Sequence, residues 1–106
     1  MAAFSQKSKD KLSTVHSDLQ EICNEAIKYY NFTVVAGYRD KEEQNRAYNN
    51  GFSKLQYPNS KHNKKPSLAI DLYPYPIDLK DIKRFYYLAG LIKGIAIAKG
   101  IRIRWG

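Results

Sequence analysis

A chain of 106 residues, 43% of them hydrophobic, is long enough for one domain with its own core, and a single cysteine excludes an internal disulfide framework. Eighteen Lys and Arg residues against ten Asp and Glu residues give a net charge of +8, which favours polyanionic partners such as nucleic acid, an anionic membrane surface or a cell wall. A surplus of lysine can equally serve only to keep a small domain in solution. The polar, Lys-rich start and the short length of the most apolar stretch, residues 85–98, predict neither a signal peptide nor a transmembrane segment.

The first half of the chain predicts a helix, a strand and a second helix. Apolar residues recur at steps of three and four from about residue 9 to residue 30, which is typical of an amphipathic helix. The apolar and β-branched residues 32–38 predict a buried strand. Asp40, followed three positions later by Glu43, predicts the capped start of a helix that ends at Gly51.

A loop and a second strand follow, and the strand carries an unexpected acid. Residues 51–66 are rich in Ser, Asn, Gly, Pro and Lys, and residues 67–73 predict a strand that ends at the prolines after it. The period of two places one apolar face of this strand toward the core: Leu68, Ile70 and Leu72. Asp71 lies on the other face, where an unpaired buried carboxylate would be costly. His62 could fold back over it, so the two side chains are either surface residues or a pair of zinc ligands.

The last third of the chain predicts a long helix and a short third strand. The helix runs over residues 78–99 and is apolar almost all round after its first turns, so we expect it to be buried. Gly90 and Gly94 lie one turn apart, which favours close packing against a neighbouring element. Residues 101–105 alternate in character, as a short strand does. The order of elements predicts a mixed α+β domain.

Three ordered blocks of the sequence resemble one group of peptidases. Residues 60–74, SKHNKKPSLAIDLYP, carry Ser-x-His followed by Ala-x-Asp-Leu. Residues 36–55, AGYRDKEEQNRAYNNGFSKL, carry Gly-Tyr-Arg-x-x-x-x-Gln with a later Gly-x-Ser, and residues 84–106 lead to Trp-Gly. These blocks resemble the zinc D-Ala-D-Ala carboxypeptidases and phage L-alanyl-D-glutamate endopeptidases, which are endolysins, and the related vancomycin-resistance D,D-peptidases. The spacer between the His and the Asp is longer than in the commonest form and resembles a phage-type variant.

The resemblance implies a fold, a Zn²⁺ ion and roles for five residues. The implied fold is a small α+β domain of the D-Ala-D-Ala-peptidase/hedgehog type, with helices packed on a short central antiparallel sheet. His62 and Asp71 match the first two zinc ligands, and Arg39 matches the arginine that faces the substrate and the developing oxyanion. Gln44 and Ser60 match positions on the substrate side. Taken singly, Arg39 could instead stabilise the end of a strand, Gln44 could be an exposed helix residue and Ser60 could belong to the loop.

The chain also departs from the family pattern. The family's third zinc ligand, a His after the Trp-Gly, and the general-base Asp or Glu just before it have no match within residues 1–106. His16 and Cys23 lie in the first predicted helix and are not expected to be ligands. We therefore expect residues 1–106 to be a single peptidase-like domain that lacks its C-terminal segment. A natural truncation and a ligand supplied by a second chain remain alternatives.

The resemblance implies hydrolysis of peptidoglycan stem peptides by a zinc-activated water, with a carboxylate that moves the proton. Cleavage of D-Ala-D-Ala and cleavage of L-Ala-D-Glu are both compatible with it. We expect a phage lysis enzyme without a signal peptide that stays in the host cytoplasm and reaches the wall after holin-type release. The alternative is a non-catalytic, truncated relic that binds cell wall or nucleic acid, although no specific nucleic-acid motif is present.

Overall fold

The computed structural model describes residues 3–105 of the chain. Its elements follow in the order α1 (Gln6–Leu12), α2 (Ser17–Ala26), β1 (Phe32–Ala36), α3 (Lys41–Asn49), a 3₁₀ turn (Lys61–Asn63), β2 (Asp71–Pro74) and α4 (Ile82–Ala98). This is a mixed domain of four helices and a short antiparallel sheet, which confirms the predicted fold class.

The single helix predicted over residues 9–30 is wrong, because the chain breaks into α1 and α2. Val15 makes an isolated parallel bridge with Ser67. The Ser67 N–H donates to the Thr14 carbonyl at 2.9 Å, and the His16 N–H donates to the Ser67 carbonyl at 2.8 Å. The apolar spacing continues across the break because both helices bury their faces in one core, so periodicity alone could not show it.

The sheet has two antiparallel strands within residues 3–105, and its register determines where Asp71 lies. Phe32 pairs with Pro74 at one end and Ala36 pairs with Asp71 at the other. The register shifts between Val34 and Ala36, which is a bulge in β1. A bulge bends a strand and redirects the side chains that follow it. The end of β1 and the start of β2 therefore meet at one corner of the molecule.

The second and third predicted strands differ from the observed chain path. The strand expected over residues 67–73 begins only at Asp71, because Ser67 pairs with Val15 instead. Residues 101–105 form no strand, and within residues 3–105 the sheet consists of β1 and β2. Their alternation arises because one side of the segment packs against the core, through Ile101, Ile103 and Trp105.

The core lies between the helices and the sheet. Its fully or nearly fully buried apolar side chains include Val15, Ile22, Ala26, Phe32, Val34, Leu88 and Ile92. Cys23 is buried among them, and this burial raises the pKa of its thiol to about 12. The thiol is therefore neutral near pH 7 and behaves as a small apolar side chain.

The long helix α4 begins later than predicted and is not buried all round. Its N-cap is Asp81, because the Asp78 side chain accepts from the Lys80 N–H in the preceding turn. One face of the helix is exposed, and a Cβ built at Gly90 or Gly94 would meet no atom of the structure within 4 Å. The prediction of close packing at these glycines is therefore wrong. Within residues 3–105 no helix combines the length and apolarity needed to cross a bilayer.

Candidate metal and catalytic site

Two short segments meet over the start of β2 and form the candidate site. His62 lies in the 3₁₀ turn, which Ser60 caps: its Oγ accepts from the His62 N–H at 3.2 Å. The turn is joined to the segment after β1 because the Arg39 N–H donates to the His62 carbonyl at 2.9 Å. The loop thus folds back over β2 and brings His62, Arg39 and Asp71 together, as the predicted fold-back of His62 requires.

The two ring nitrogens of His62 have different partners. Nδ1 lies 2.7 Å from the Gly37 carbonyl oxygen, and Nε2 lies 3.4 Å from Asp71 Oδ1. A carbonyl oxygen can only accept, so Nδ1 carries a proton. Nε2 is then either protonated as well, in an imidazolium that faces the carboxylate, or it directs a lone pair at the same oxygen. The second arrangement requires a cation between the two atoms, and a metal ion supplies one.

The distance between these two atoms fits a zinc ion. Two ligand atoms that bind a tetrahedral zinc at about 2.0–2.1 Å lie roughly 3.3 Å apart. The observed separation of His62 Nε2 and Asp71 Oδ1 is 3.4 Å. The hydrogen bond from Nδ1–H to a carbonyl is also the contact that usually orients a metal-binding imidazole. Within residues 3–105, however, no cluster of three or more His, Cys, Asp or Glu side chains could hold a metal.

Gly37 provides the carbonyl that orients His62. The structure leaves no room for a side chain at this position. A Cβ built at Gly37 would lie 2.4 Å from Thr14 Oγ1 and 2.5 Å from the Lys11 carbonyl oxygen. The turn after α1 therefore presses directly on the backbone of Gly37. The close approach holds this backbone, and with it the His62 ring, at the end of the bulged strand.

Arg39 is paired with the second oxygen of the same carboxylate. Its Nη2 lies 2.7 Å from Asp71 Oδ2, and the side chains of Arg39 and Asp71 are 16% and 39% exposed. Burial alone would raise the pKa of Asp71, but the hydrogen bond from His62 and the charges of His62 and Arg39 outweigh it. The pKa of Asp71 is therefore below its ordinary value. A carboxylate held ionised in this way is suited to bind a cation.

The structure places Gln44 and Ser60 beneath the site. Gln44 is 0% exposed, and its Oε1 lies 3.5 Å from Arg39 Nη1. Its Nε2 donates to Ser53 Oγ at 2.9 Å and to the Leu55 carbonyl at 2.7 Å. Ser60 is buried, and its hydroxyl caps the turn of His62. Both side chains contact the residues that form the site, and their predicted substrate contacts stay a prediction.

A large groove opens beside the paired side chains. Its volume is about 900 Å³, and both His62 and Asp71 line it. Much of the remaining lining is apolar, with basic side chains from Lys61, Arg102 and Arg104. Clefts of this size with a few convergent polar groups are typical of ligand sites.

Two further residues shape the site, Asn63 and Gly37, and neither was predicted from the sequence to do so. Asn63 Nδ2 donates to the Arg39 carbonyl at 3.0 Å and lies 3.3 Å from Gln44 Oε1. Asn63 Oδ1 accepts from the Ser60 N–H at 3.0 Å, which completes a capping box. The Ser60-x-x-Asn63 spacing is the signal that could have identified it. The tight contact at Gly37 depends on a turn that the predicted unbroken helix did not contain.

His16 and Cys23 are not part of the pair. His16 caps α2, with Nδ1 accepting from the Asp18 N–H at 3.1 Å. Cys23 is a buried thiol whose pKa is raised to about 12 by that burial, so it is neutral near pH 7. The expectation that neither residue is a metal ligand stays a prediction.

Comparison with known proteins places this chain in a family. The family model of the phage L-alanyl-D-glutamate peptidases matches residues 1–106. The L-alanyl-D-glutamate peptidase of Escherichia phage T5 is 32% identical over 108 residues, which cover 97% of this chain and 78% of the phage protein. The crystal structure of the Serratia marcescens L-Ala D-Glu endopeptidase ChiX superimposes with a TM-score of 0.80 at 24% identity, covering 98% of this chain and 79% of that one. The chain therefore belongs to the phage L-alanyl-D-glutamate peptidase family.

Proposed function

We propose that this chain is a zinc-dependent peptidase of the endolysin type, which cleaves the bond between L-Ala and D-Glu in peptidoglycan stem peptides. The observation that carries the proposal is the pairing of His62 Nε2 with Asp71 Oδ1 at 3.4 Å, with the imidazole oriented by the Gly37 carbonyl. The family favours the L-Ala-D-Glu bond over D-Ala-D-Ala, which the motifs alone left open.

His62 and Asp71 would hold the ion, and Arg39 would act beside it. Zinc, when bound, supplies a Lewis acid for the scissile carbonyl and lowers the pKa of a coordinated water. Arg39 stays charged at every relevant pH and presents several donors in a fixed plane. Its guanidinium is held 2.7 Å from Asp71 Oδ2, and we propose that its remaining donors bind a carboxylate of the peptide or the developing oxyanion.

Two protein ligands are fewer than the three that a catalytic zinc usually takes. The groove of about 900 Å³ beside His62 and Asp71 leaves room for water, for substrate or for a further side chain at the remaining positions. We propose that a ligand from outside residues 3–105 completes the site. Membership of a family of phage peptidases also supports a role in host lysis. We propose that in this role the enzyme would reach the wall from the host cytoplasm after holin-type release.

Metal analysis of protein purified without a metal-affinity tag tests the site. We expect close to one zinc per chain in the wild type and background zinc in His62→Ala and Asp71→Asn. His16→Ala is the matched control, because it removes the other histidine of the chain and should leave the zinc content unchanged. Zinc retained by His62→Ala, or absent from the wild type, would contradict the proposed metal site.

Digestion of purified peptidoglycan tests the reaction. Mass spectrometry of the products distinguishes new N-terminal D-Glu, which the proposal predicts, from released D-Ala, which would instead indicate a carboxypeptidase. Retained wall binding with no bond cleaved at any zinc concentration would favour the non-catalytic alternative. Arg39→Lys keeps the charge but loses the planar donors, so we expect at least a tenfold loss of cleavage from it.

A further inference from the structure

We propose that Gln44 and Asn63 are positioning residues: two neighbouring amides, one buried and one partly buried, that hold the Arg39 guanidinium against Asp71. Only one part of this proposal rests on the function proposed above, namely the use of the aligned guanidinium in peptide cleavage. The structural part of the proposal, that Arg39 is held by these two amides, stands on the contacts of the chain itself.

The amide of Gln44 has one available orientation. The side chain is 0% exposed, and its nitrogen lies 2.7 Å from the Leu55 carbonyl oxygen, which can only accept. Ser53 Oγ, 2.9 Å from the same nitrogen, accepts a hydrogen bond from its second N–H. Both donors of Gln44 are thus used by the loop after α3. Its oxygen is left facing Arg39 Nη1 at 3.5 Å and Asn63 Nδ2 at 3.3 Å.

The amide of Asn63 is oriented by the same reasoning. Its Oδ1 faces the Ser60 N–H at 3.0 Å, and an N–H can only donate. Its nitrogen therefore faces two acceptors, the Arg39 carbonyl at 3.0 Å and Gln44 Oε1. Since the Arg39 N–H also donates to the His62 carbonyl, Asn63 and His62 clamp both backbone polar groups of Arg39.

These contacts form one connected path to the candidate metal pair. Gln44 limits where Nη1 of Arg39 can lie, and Nη2 binds Asp71 Oδ2 at 2.7 Å. With one carboxylate oxygen held by Arg39, the other, Oδ1, is turned toward His62 Nε2 at 3.4 Å. The 3.5 Å contact between Gln44 and Arg39 is long, so Gln44 acts by restricting the guanidinium rather than by a strong bond.

The mobility of the Arg39 guanidinium tests this role directly. Nitrogen-15 NMR measures how fast its terminal NH₂ groups rotate, and Arg39→Lys identifies its signals by their loss. We expect Gln44→Met, which keeps the length of the side chain and removes both polar ends, to speed this rotation at least fivefold. Asn63→Ala should have the same effect. Because Asn63 lies in a partly exposed turn, this variant still tests the proposal if Gln44→Met does not fold.

Two further variants separate positioning from loop anchoring. Asn45→Ala removes an acceptor that holds the Tyr57 N–H at 3.1 Å, so it loosens the same loop without touching Arg39 and should leave the rotation unchanged. Gln44→Glu loses the donors to Ser53 and Leu55 but keeps an oxygen toward Arg39, and it should restore slow rotation although the loop contacts are lost.

An equal effect of Asn45→Ala, or unchanged Arg39 signals in both Gln44→Met and Asn63→Ala, would overturn the positioning role. Failure of Gln44→Glu to restore slow rotation would show that Gln44 acts through the loop. The NMR measurement needs neither zinc nor substrate. A negative NMR result would therefore contradict the positioning role and not the proposed peptidase, which the metal analysis tests. A negative metal analysis would likewise not contradict the positioning of Arg39 by Gln44 and Asn63.

Discussion

Gly37 shows at the scale of one residue how the fold constrains the site. Its carbonyl orients His62 at 2.7 Å, and its missing side chain lets the Lys11 carbonyl approach. Gly37→Ala would force the Cβ within 2.5 Å of that backbone oxygen, so the turn or the strand must move. We expect the free energy of unfolding to fall by about 1–3 kcal/mol, measured by denaturant titration, and zinc binding to weaken.

Gly90 is the matched control for this substitution. It lies inside α4, where an added Cβ meets no atom of the structure within 4 Å. Ala has a higher helix propensity than Gly, so Gly90→Ala should raise the free energy of unfolding by up to about 1 kcal/mol. Destabilisation by both variants to the same degree would show that the close contact at Gly37 is not the cause.

Asp71 links the site to the pH dependence of stability. Burial would raise its pKa, but His62 and Arg39 hold the pKa below the ordinary value of about 3.9. A lowered pKa in the folded state stabilises the fold above the unfolded pKa, and this stability is lost as pH falls through the folded pKa. We expect the wild type to lose more stability than Asp71→Asn between about pH 5 and pH 2. Parallel losses in thermal melts across that range would contradict the coupling.

At the scale of elements, the start of α3 constrains the backbone next to Arg39, which lies between the end of β1 and the N-cap of α3. Asp40 follows Arg39 directly and forms a capping box, in which Oδ1 accepts from the Glu43 N–H at 2.8 Å and Glu43 Oε1 accepts from the Asp40 N–H at 3.2 Å. We expect Asp40→Ala to lower the free energy of unfolding by about 1 kcal/mol. Asp78→Ala is the control, since its side chain accepts only within an exposed turn. An equal loss in the two variants would argue against the capping box.

The elements that were predictable carry their own local signals. The start of α3 is marked by Asp40 and Glu43, and its end by Gly51, whose φ is 78°. The break between α1 and α2 has no equally clear signal, because the N-cap of α2 is His16 rather than Ser, Thr, Asp or Asn, and because the break also depends on the pairing of Val15 with Ser67, far away in the sequence. The prediction of a third strand was wrong because it also depended on distant contacts. Alternation in residues 101–105 shows which side of the segment is buried, but a strand also needs a partner strand to pair with.

The site was likewise predictable only where short sequence motifs mark its residues, and not where it depends on contacts between distant segments. The order of the motifs was enough to expect His62, Asp71 and Arg39 at one place, and the structure brings them together. The complete burial of Gln44 could not be predicted, since its neighbours on α3 are mostly polar and exposed. It depends on the loop that returns over α3 and supplies Ser53 and Leu55 as partners.

At the scale of the whole molecule, the loop that carries His62 is a basic segment of a basic chain. Residues 51–66 contain four lysines and no acidic residue, against a net charge of +8 for the chain. Lys54, Lys61 and Lys64 are all exposed in this loop, which also carries His62. Of these lysines, Lys61 lines the groove, and anionic wall polymers should be drawn toward this loop.

Replacing these three lysines by Gln should weaken binding to isolated cell walls severalfold, because the attraction is electrostatic. The same replacement at Lys80, Lys83 and Lys93 is the control, since these exposed lysines lie on or just before α4 and change the net charge equally. Sedimentation of walls with bound protein measures both. Binding of the wild type should also fall between about 50 and 500 mM NaCl, as screening shortens the reach of each charge. Equal losses from the two triple variants would mean that only the net charge of the chain matters, and salt-independent binding would rule out an electrostatic origin.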